Sequence, residues 1–170
     1  MKNSRILQAL FVAAAVPCIL AGCAHPQLVD MGAPEPQIVE YLGAPHARVA
    51  LPDGRTRLVY SGQGAAQEVW WMTLDAEGRL EKLENVLDRE HFALIKPGVS
   101  TEADVWNLFG KCAQEYEFHL SNQHAWMYRF KDEGMFDMAC WVQFDVNGVV
   151  TEVGYTLDPW KDRDSFLMSI

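Results

Sequence analysis

Polar and apolar positions along the chain repeat at a spacing close to 70 residues. The segment 68–78 aligns with the segment 138–148 without a gap, and the shift upstream of it is 67. Identical residues stand at six matching positions, which are Gly43 with Gly110, Trp71 with Trp141, Asp75 with Asp145, Gly78 with Gly148, Leu87 with Leu157, and Asp88 with Asp158. Self-similarity of this kind indicates two copies of one supersecondary unit. We therefore predict a first unit over residues 31–88 and a second over residues 89–158.

Each unit begins with a pattern typical of a short helix. In the second unit Val105, Leu108 and Phe109 follow the i, i+3, i+4 spacing of one apolar helix face. Thr101 precedes them as a candidate N-cap, and Gly110 follows as a helix stop that tolerates positive φ. The corresponding positions of the first unit are Ile38, Leu42 and Gly43.

The rest of each unit is predicted to be antiparallel strand, because apolar and polar residues alternate over short segments. The predicted strands are residues 47–51, 57–60, 69–74 and 79–83 in the first unit, and 116–120, 126–130, 140–144 and 149–155 in the second. Asn147-Gly148 favours the positive φ of a tight hairpin. The pattern predicts an α+β fold, in which two tandem helix-then-antiparallel-meander units form one sheet with helices on one face.

Strand parity separates two faces of the predicted sheet. The more apolar face, which should meet the helices, contains Trp70, Met72 and Leu74 with their counterparts Cys140, Val142 and Phe144. The opposite, helix-free face then presents Trp71, Thr73, Trp141 and Gln143. Aromatic residues are favoured as anchors of protein interfaces, so these four residues are the candidate protein-binding site. Two alternatives stay open, namely that the tryptophans pack under loops or that the two faces are inverted.

Residues 1–22 have a different pattern, which is that of a secretory signal. Lys2 and Arg5 precede an apolar stretch over residues 6–20 that is too short to span a bilayer as a helix. The sequence Leu20-Ala21-Gly22-Cys23 follows, and it resembles the lipobox of bacterial lipoproteins. The resemblance implies cleavage of residues 1–22 and acylation of Cys23, with residues 23–30 as lipidated N-terminus and spacer. A plain signal peptide or an N-terminal membrane anchor is the alternative.

The residue after the lipobox and the net charge bear on location and partners. Ala24 resembles the default signal that sorts lipoproteins to the outer membrane, which implies a lipid-anchored domain facing the periplasm. Removal of Lys2 and Arg5 with the signal would leave 12 of the 14 basic residues against 23 acidic ones, a formal charge of −11. This charge disfavours nucleic acid as a partner and allows a basic protein. The expected partners are therefore the membrane, through the lipid, and a protein.

Two cysteines remain when Cys18 leaves with the signal and Cys23 is acylated. They are Cys112 and Cys140, and an even pair outside the cytosol indicates a disulfide. Its loop of roughly 29 residues would contribute about 3 kcal/mol to stability. Two buried free thiols or a metal pair are the alternatives, although no CxxC or HxxxH pattern supplies further metal ligands.

Few residues suggest catalysis. No serine, cysteine or acid stands in a recognisable nucleophile motif, and Asp75 and Asp145 lie in predicted hairpin turns, where aspartate bonds backbone groups. Metal-ligand spacing is absent among the histidines, which are His25, His46, His91, His119 and His124. We therefore predict a protein that is not an enzyme and has no cofactor or metal. Residues 159–170 form a C-terminal tail, and its pattern does not indicate whether it docks.

One motif of the second unit resembles a known family. Its residues are Phe92, Ile95, Gly98, Val105, Phe109 and Gly110, followed by Phe144, Asp145, Asn147, Gly148 and Val150. The motif looks like that of the SmpA/OmlA family, the BamE-like outer-membrane lipoproteins, which have one unit where this chain has two. This resemblance implies a protein-binding accessory or scaffold in envelope or outer-membrane assembly. The tandem arrangement resembles the β-lactamase inhibitor protein, which implies an alternative role as a periplasmic inhibitor of a lysozyme-type or β-lactamase-type hydrolase.

Overall fold

The computed structural model describes residues 24–120 and 122–161. The predicted signal peptide, Cys23 and the tail beyond residue 161 lie outside these residues. The helices are α1 (Glu35–Leu42), α2 (Arg89–Phe92) and α3 (Glu102–Phe109), preceded by a 3-10 helix at Pro26–Leu28. The strands are β1 (Ala47–Ala50), β2 (Thr56–Ser61), β3 (Val69–Leu74), β4 (Leu80–Asn85), β5 (Gln114–Phe118), β6 (Gln123–Asp132), β7 (Phe136–Phe144) and β8 (Val150–Leu157). Within the described ranges, no helix is long and apolar enough to cross a bilayer.

The two predicted units are present, and each consists of helix followed by a four-stranded antiparallel sheet. Strands β1 to β4 form the first sheet in chain order, and strands β5 to β8 form the second sheet in the same way. The predicted meander is thus confirmed in each unit. The expectation of one continuous sheet is wrong, because no strand of the first sheet pairs with a strand of the second among the described residues.

Helix α3 separates the two sheets. One side of α3 contacts β1 and β2 of the first sheet, while Val105 and Phe109 pack into the core of the second sheet. The layers therefore follow the order α1, first sheet, α3, second sheet. The first sheet has a helix on each face, so the prediction of helices on one face only is wrong for that sheet.

The ends of α3 are set by the residues that the sequence indicated. Thr101 Oγ1 accepts a hydrogen bond from Asp104 N at 3.3 Å, and Asp104 Oδ2 accepts one from Thr101 N at 2.8 Å. This reciprocal pair is a capping box. Gly110 ends α3 with φ 64°, and Gly43 ends α1 with φ 82°. Glycine occupies both stops because residues with a side chain rarely adopt positive φ.

The two matched hairpin turns confirm a structural role for their aspartates. Asp75 Oδ1 accepts hydrogen bonds from the backbone N–H groups two and four residues further on, at 3.1 and 2.8 Å. Asp145 Oδ1 does the same at 2.8 and 2.9 Å. Each carboxylate therefore closes the turn between the third and fourth strands of its unit.

Two clusters of buried side chains form the interior. The smaller lies between α1 and the first sheet, and it contains Ala33, Ile38, Leu58, Tyr60, Trp70, Met72, Leu74 and Leu80. The larger joins α2, α3 and the second sheet to the inner face of the first sheet. Within it the ring of Phe92 lies 4.9 Å from that of Phe109 and 5.2 Å from that of Phe130. Because the larger cluster includes residues of both units, the units share one core.

Indole N–H groups bond across the boundary between the units. Trp71 Nε1, from the first sheet, donates to the carbonyl oxygen of Leu108 in α3. Trp106 Nε1, from α3, donates to the carbonyl oxygen of His46 at 2.8 Å. Burial removes the water that would otherwise accept a hydrogen bond from each indole N–H, and the two carbonyl oxygens replace it. The two bonds therefore hold α3 in one position against the first sheet.

Gln63 completes the second sheet from the first unit. The pairing of β5 with β6 begins at Gln114 and Met127, so β5 does not reach the backbone of Arg129. Gln63 Oε1 accepts a hydrogen bond from Arg129 N at 2.7 Å, and Gln63 Nε2 donates to Arg129 O at 2.9 Å. A side-chain amide therefore supplies the hydrogen bonds of the missing strand neighbour.

Substitution of the two helix-stop glycines should have unequal effects. A Cβ at Gly110 would lie 2.8 Å from the Cβ of His46, at positive φ, so Gly110→Ala should destabilise the protein by about 2–4 kcal/mol. Gly43→Ala is the matched control, because a Cβ there meets no heavy atom within 4 Å and only the backbone conformation is strained. Urea unfolding midpoints would measure the difference. Equal losses would contradict the close approach of α3 to the first sheet.

His46 should make stability sensitive to pH below neutrality. Burial, and to a smaller extent the charge of Lys111, lowers the pKa of His46 from its ordinary value of 6.5. The unfolded chain then binds more protons, so stability is complete above about pH 6.5 and decreases as the pH falls toward the folded-state pKa. The urea midpoint should drop less between about pH 7.5 and pH 5.5 in His46→Gln than in the unaltered protein. An identical drop would rule out this contribution.

Residues 24–30, which belong to the predicted lipidated N-terminus and spacer, contact the first unit. His25 Nε2 is 2.7 Å from Glu68 Oε1, and the His25 ring meets the ring of Trp70 edge-on at 5.8 Å. Val29 packs against the smaller core. The segment after Cys23 is therefore part of the folded domain.

Candidate protein-binding site

The predicted parity of the third strands is confirmed. Trp70, Met72 and Leu74 belong to the core beneath α1, and the matching Cys140, Val142 and Phe144 belong to the core that contains Val105 and Phe109 of α3. The four candidate residues therefore do lie on the opposite faces of β3 and β7. What covers those opposite faces differs between the units.

Trp71 and Thr73 lie inside the molecule. Trp71 is 9% exposed, and Thr73 is 5% exposed. The guanidinium of Arg57 lies 3.8 Å above the Trp71 ring, and the ring of His91 meets it edge-on at 5.1 Å. Because α3 covers this face of the first sheet, the prediction that Trp71 and Thr73 present a protein-binding surface is wrong.

Trp141 and Gln143 lie on the face of the second sheet that none of the helices α1 to α3 covers. Both side chains are half-buried. Strand register places Tyr116, Glu152 and Thr156 on the same side. We call this surface the open face, and it consists of Tyr116, Trp141, Gln143, Glu152 and Thr156. It is the part of the predicted site that remains accessible.

An aromatic pair occupies the middle of the open face. The ring centroids of Tyr116 and Trp141 are 5.1 Å apart with an interplanar angle of 53°. Trp141 Nε1 donates to Thr156 Oγ1 at 2.9 Å, which satisfies the indole N–H while the ring stays half-buried. Ala125 and Met127, on the same side of the sheet, are buried. The pair is thus a preformed amphipathic anchor of the kind that is enriched at protein interfaces.

A cleft borders the open face at the turn between β5 and β6. Its volume is about 560 Å³, and its lining residues are Phe118, His119, Leu120, Gln123 and Gln143. Phe118 and Leu120 are exposed apolar residues. A cleft of this size and lining suits an apolar side chain of a partner.

A buried ion pair closes the other end of this side of the sheet. Arg129 Nε donates to Asp158 Oδ2 at 2.8 Å, and the two side chains are 10% and 0% exposed. Gln67 Nε2 also donates to Asp158 Oδ2, at 3.0 Å. The ring of Trp160 lies 4.3 Å from the guanidinium. The described part of the predicted tail therefore docks, through Trp160, on the second unit.

The two cysteines are free, buried thiols, so the predicted disulfide between Cys112 and Cys140 is not formed. Both belong to the larger core, and for Cys140 strand parity predicted this side of the sheet. Tyr128 pairs with Cys140 across β6 and β7, and its hydroxyl donates to Gly110 O at 2.9 Å, so its side chain stands between the two cysteine-bearing segments. Burial raises the pKa of the Cys112 thiol to about 11 and that of Cys140 well above its ordinary range. Both thiols are therefore protonated at neutral pH and poorly nucleophilic.

Several histidines make structural contacts. His91 Nδ1 lies 2.8 Å from Asp88 Oδ1. His124 lies 3.1 Å from Glu102 and stacks on Phe144 at 5.0 Å. Among the residues that the structure describes, no group of three His, Cys, Asp or Glu side chains could hold a metal ion.

Tyr116, Glu152 and Thr156 are the members of the open face that the sequence pattern did not identify, and Tyr116 is the aromatic one. The alternation of Tyr116 with polar neighbours was visible, but it did not say which side of the sheet the ring takes. The register of β5 on β6, with Tyr116 opposite Ala125, places the ring beside Trp141. The sequence pattern does not give the pairing register of β5 with β6, and this register decides the face of Tyr116.

Comparisons of the chain with protein-family models, with curated proteins and with solved structures found no match.

Proposed function

We propose that the chain is a non-enzymatic lipoprotein that binds another protein through the open face of its second sheet. Cys23 would bear the lipid, residues 1–22 would be removed, and the domain would face the periplasm from the outer membrane. The observation that supports binding most directly is the half-buried pair of Tyr116 and Trp141, 5.1 Å apart on a sheet face without helix cover. Tryptophan and tyrosine are enriched among the hot spots of protein interfaces.

The resemblance to SmpA/OmlA lipoproteins supports a role as accessory or scaffold in envelope or outer-membrane assembly. Several residues of that motif stabilise the fold of the second unit. Phe92 and Phe109 are in ring contact, Gly110 stops α3, and the segment 144–148 forms the final turn. The role itself is an inference from the likeness.

A second candidate is inhibition of a periplasmic hydrolase. The observation that favours it is the formal charge of −11 on residues 23–170. An acidic side chain also lies on the open face, because Glu152 is exposed there opposite Gln143. Opposite charge raises association rates, so a basic hydrolase is the target class that this surface fits.

The anchor is tested by mass spectrometry of the protein purified from bacterial membranes. We expect the N-terminal peptide to begin at Cys23 and to bear three acyl chains, which suffice for a stable anchor. Cys23→Ala should release the protein from the membrane fraction. A chain that keeps residues 1–22, or that begins elsewhere without lipid, would contradict the proposal.

The open face is tested by affinity capture from detergent-solubilised envelopes with Trp141→Ala. We expect the partner to be lost, because truncation of an aromatic hot spot typically costs 2 kcal/mol or more, about a 30-fold loss of affinity. Leu94→Ala is the matched control, since Leu94 is 48% exposed and lies away from the open face. Assembly components lost only in Trp141→Ala would favour the scaffold, and a hydrolase would favour the inhibitor. Identical captures by all three proteins would contradict binding through the open face.

A further inference from the structure

Three large apolar side chains are exposed close to the start of the described chain. Leu28 is 68% exposed, Met31 is 59% exposed, and Tyr41 of α1 is 44% exposed. Leu28 and Tyr41 line one groove of about 410 Å³. We call the surface formed by Leu28, Met31 and Tyr41 the anchor face.

The segment that leads to the anchor face is held to the domain. Besides the contact of His25 with Glu68, Gly32 N donates to Leu80 O at 2.8 Å, and Leu80 N donates to Ala33 O at 2.9 Å. The chain is therefore bonded to the first unit on both sides of Leu28. Cys23 is one peptide bond before Ala24, so their Cα atoms are about 3.8 Å apart.

This geometry limits how far a lipid on Cys23 could stand from the domain. Leu28 is five positions after Cys23, and a fully extended chain of five residue steps spans only about 17 Å. A long flexible spacer would let the domain move freely above the bilayer, but the residues that could form one are folded. An acylated Cys23 would thus hold the first unit directly against the lipid surface.

We infer that the anchor face contacts the headgroup region of the leaflet that holds the acyl chains of Cys23. This inference rests on the proposed lipidation. Leucine, methionine and tyrosine side chains are suited to the boundary between headgroups and acyl chains, where the tyrosine hydroxyl stays hydrated. The charged residues that line the groove are Asp30 and Glu40. Since both are acidic, the face suits a zwitterionic lipid surface better than an anionic one.

The order of the layers places the anchor face and the open face on opposite sides of the molecule. Helix α1 with Tyr41 is the outermost layer on one side, and the open face of the second sheet is the outermost surface on the other. With the anchor face on the membrane, the pair of Tyr116 and Trp141 points away from it. The protein-binding surface is then presented to the periplasm.

Site-directed spin labels on the lipidated protein test this orientation in vesicles of phosphatidylcholine and phosphatidylethanolamine. Leu28→Cys, Met31→Cys and Tyr41→Cys would be labelled one at a time, with Val146→Cys, which is 72% exposed in the turn between β7 and β8, as control. Cys112 and Cys140 are buried and should not react. We expect vesicle binding to reduce collisions of the three anchor-face labels with a water-soluble nickel relaxant several-fold and to leave the label at residue 146 unchanged.

The outcomes separate this inference from the proposed function. If mass spectrometry shows acylated Cys23 and the anchor-face labels stay as accessible as the label at residue 146, the anchor face is refuted and the lipoprotein assignment stands. If Cys23 bears no lipid, the lipoprotein assignment is refuted, and the anchor face with it.

Discussion

Trp71→Ala will lower the free energy of unfolding by about 3–5 kcal/mol, whereas Trp141→Ala will lower it by about 1–2 kcal/mol. The two residues are equivalent in the repeat but not in their surroundings. Trp71 is 9% exposed beneath α3, stacks under Arg57 and bonds a carbonyl of α3. Trp141 is half-buried on the open face. Loss of Trp71 therefore leaves a cavity and an unpaired carbonyl between the units, and loss of Trp141 leaves neither.

Urea denaturation of the two single variants measures this contrast, and each residue serves as the control for the other. The slope of the unfolding free energy against urea should stay similar if both variants unfold in one step. Losses of equal size would mean that α3 does not cover the first sheet, which would contradict the layered architecture.

Asp158→Ala will destabilise the protein by a comparable amount, about 3–5 kcal/mol. Its carboxylate is fully buried, and the 10% exposed Arg129 side chain depends on it for an ionic partner. Removal of the carboxylate leaves the guanidinium in the interior without this ionic partner, beside the ring of Trp160. It also removes the acceptors for Gln67 Nε2 and for Trp160 N.

The double variant Arg129→Met/Asp158→Ala separates the ion pair from simple packing. Because an unpaired buried charge is the main cost, the double variant should be more stable than Asp158→Ala alone. Thermal or urea unfolding would show the order. A double variant less stable than the single one would mean that the charge is not buried. Asp53→Ala, at an exposed ion pair with Arg55, should change stability little.

The elements of this fold follow from local signals in the sequence. The capping box at Thr101, the helix-stop glycines and the aspartate turns act through neighbouring residues, so their patterns identify them directly. The repeat then predicts that the helix and strands identified in one unit have counterparts in the other. This is why the helix-then-meander units could be predicted without a structure.

The arrangement of the units could not be predicted in the same way, because parity shows which residues share a face but not what covers it. One signal did point to the answer. The segment 69–74 is Val-Trp-Trp-Met-Thr-Leu, a nearly continuous apolar run, and all six residues are buried. Such a run is typical of a strand that is covered on both faces, whereas the matching strand β7 alternates more clearly. The symmetry of the repeat obscured this difference.

Contacts between distant residues were also beyond the sequence. Gln63 bonds the backbone of Arg129 because of how the two units pack, and Tyr128 bonds Gly110 O because of how α3 packs on the second sheet. The even cysteine count was consistent with a disulfide or with two buried thiols. Composition alone could not distinguish them, since the difference depends on where the fold places the two thiols, which are free and buried.

The most direct measurement of protein binding through the open face is photo-crosslinking in intact cell envelopes. A photoreactive phenylalanine analogue would replace Trp141 or Tyr116 in the full chain, and Leu94 in the control. We expect a discrete protein adduct from both open-face positions and none from residue 94. Adducts from residue 94 but from neither open-face position would contradict the account.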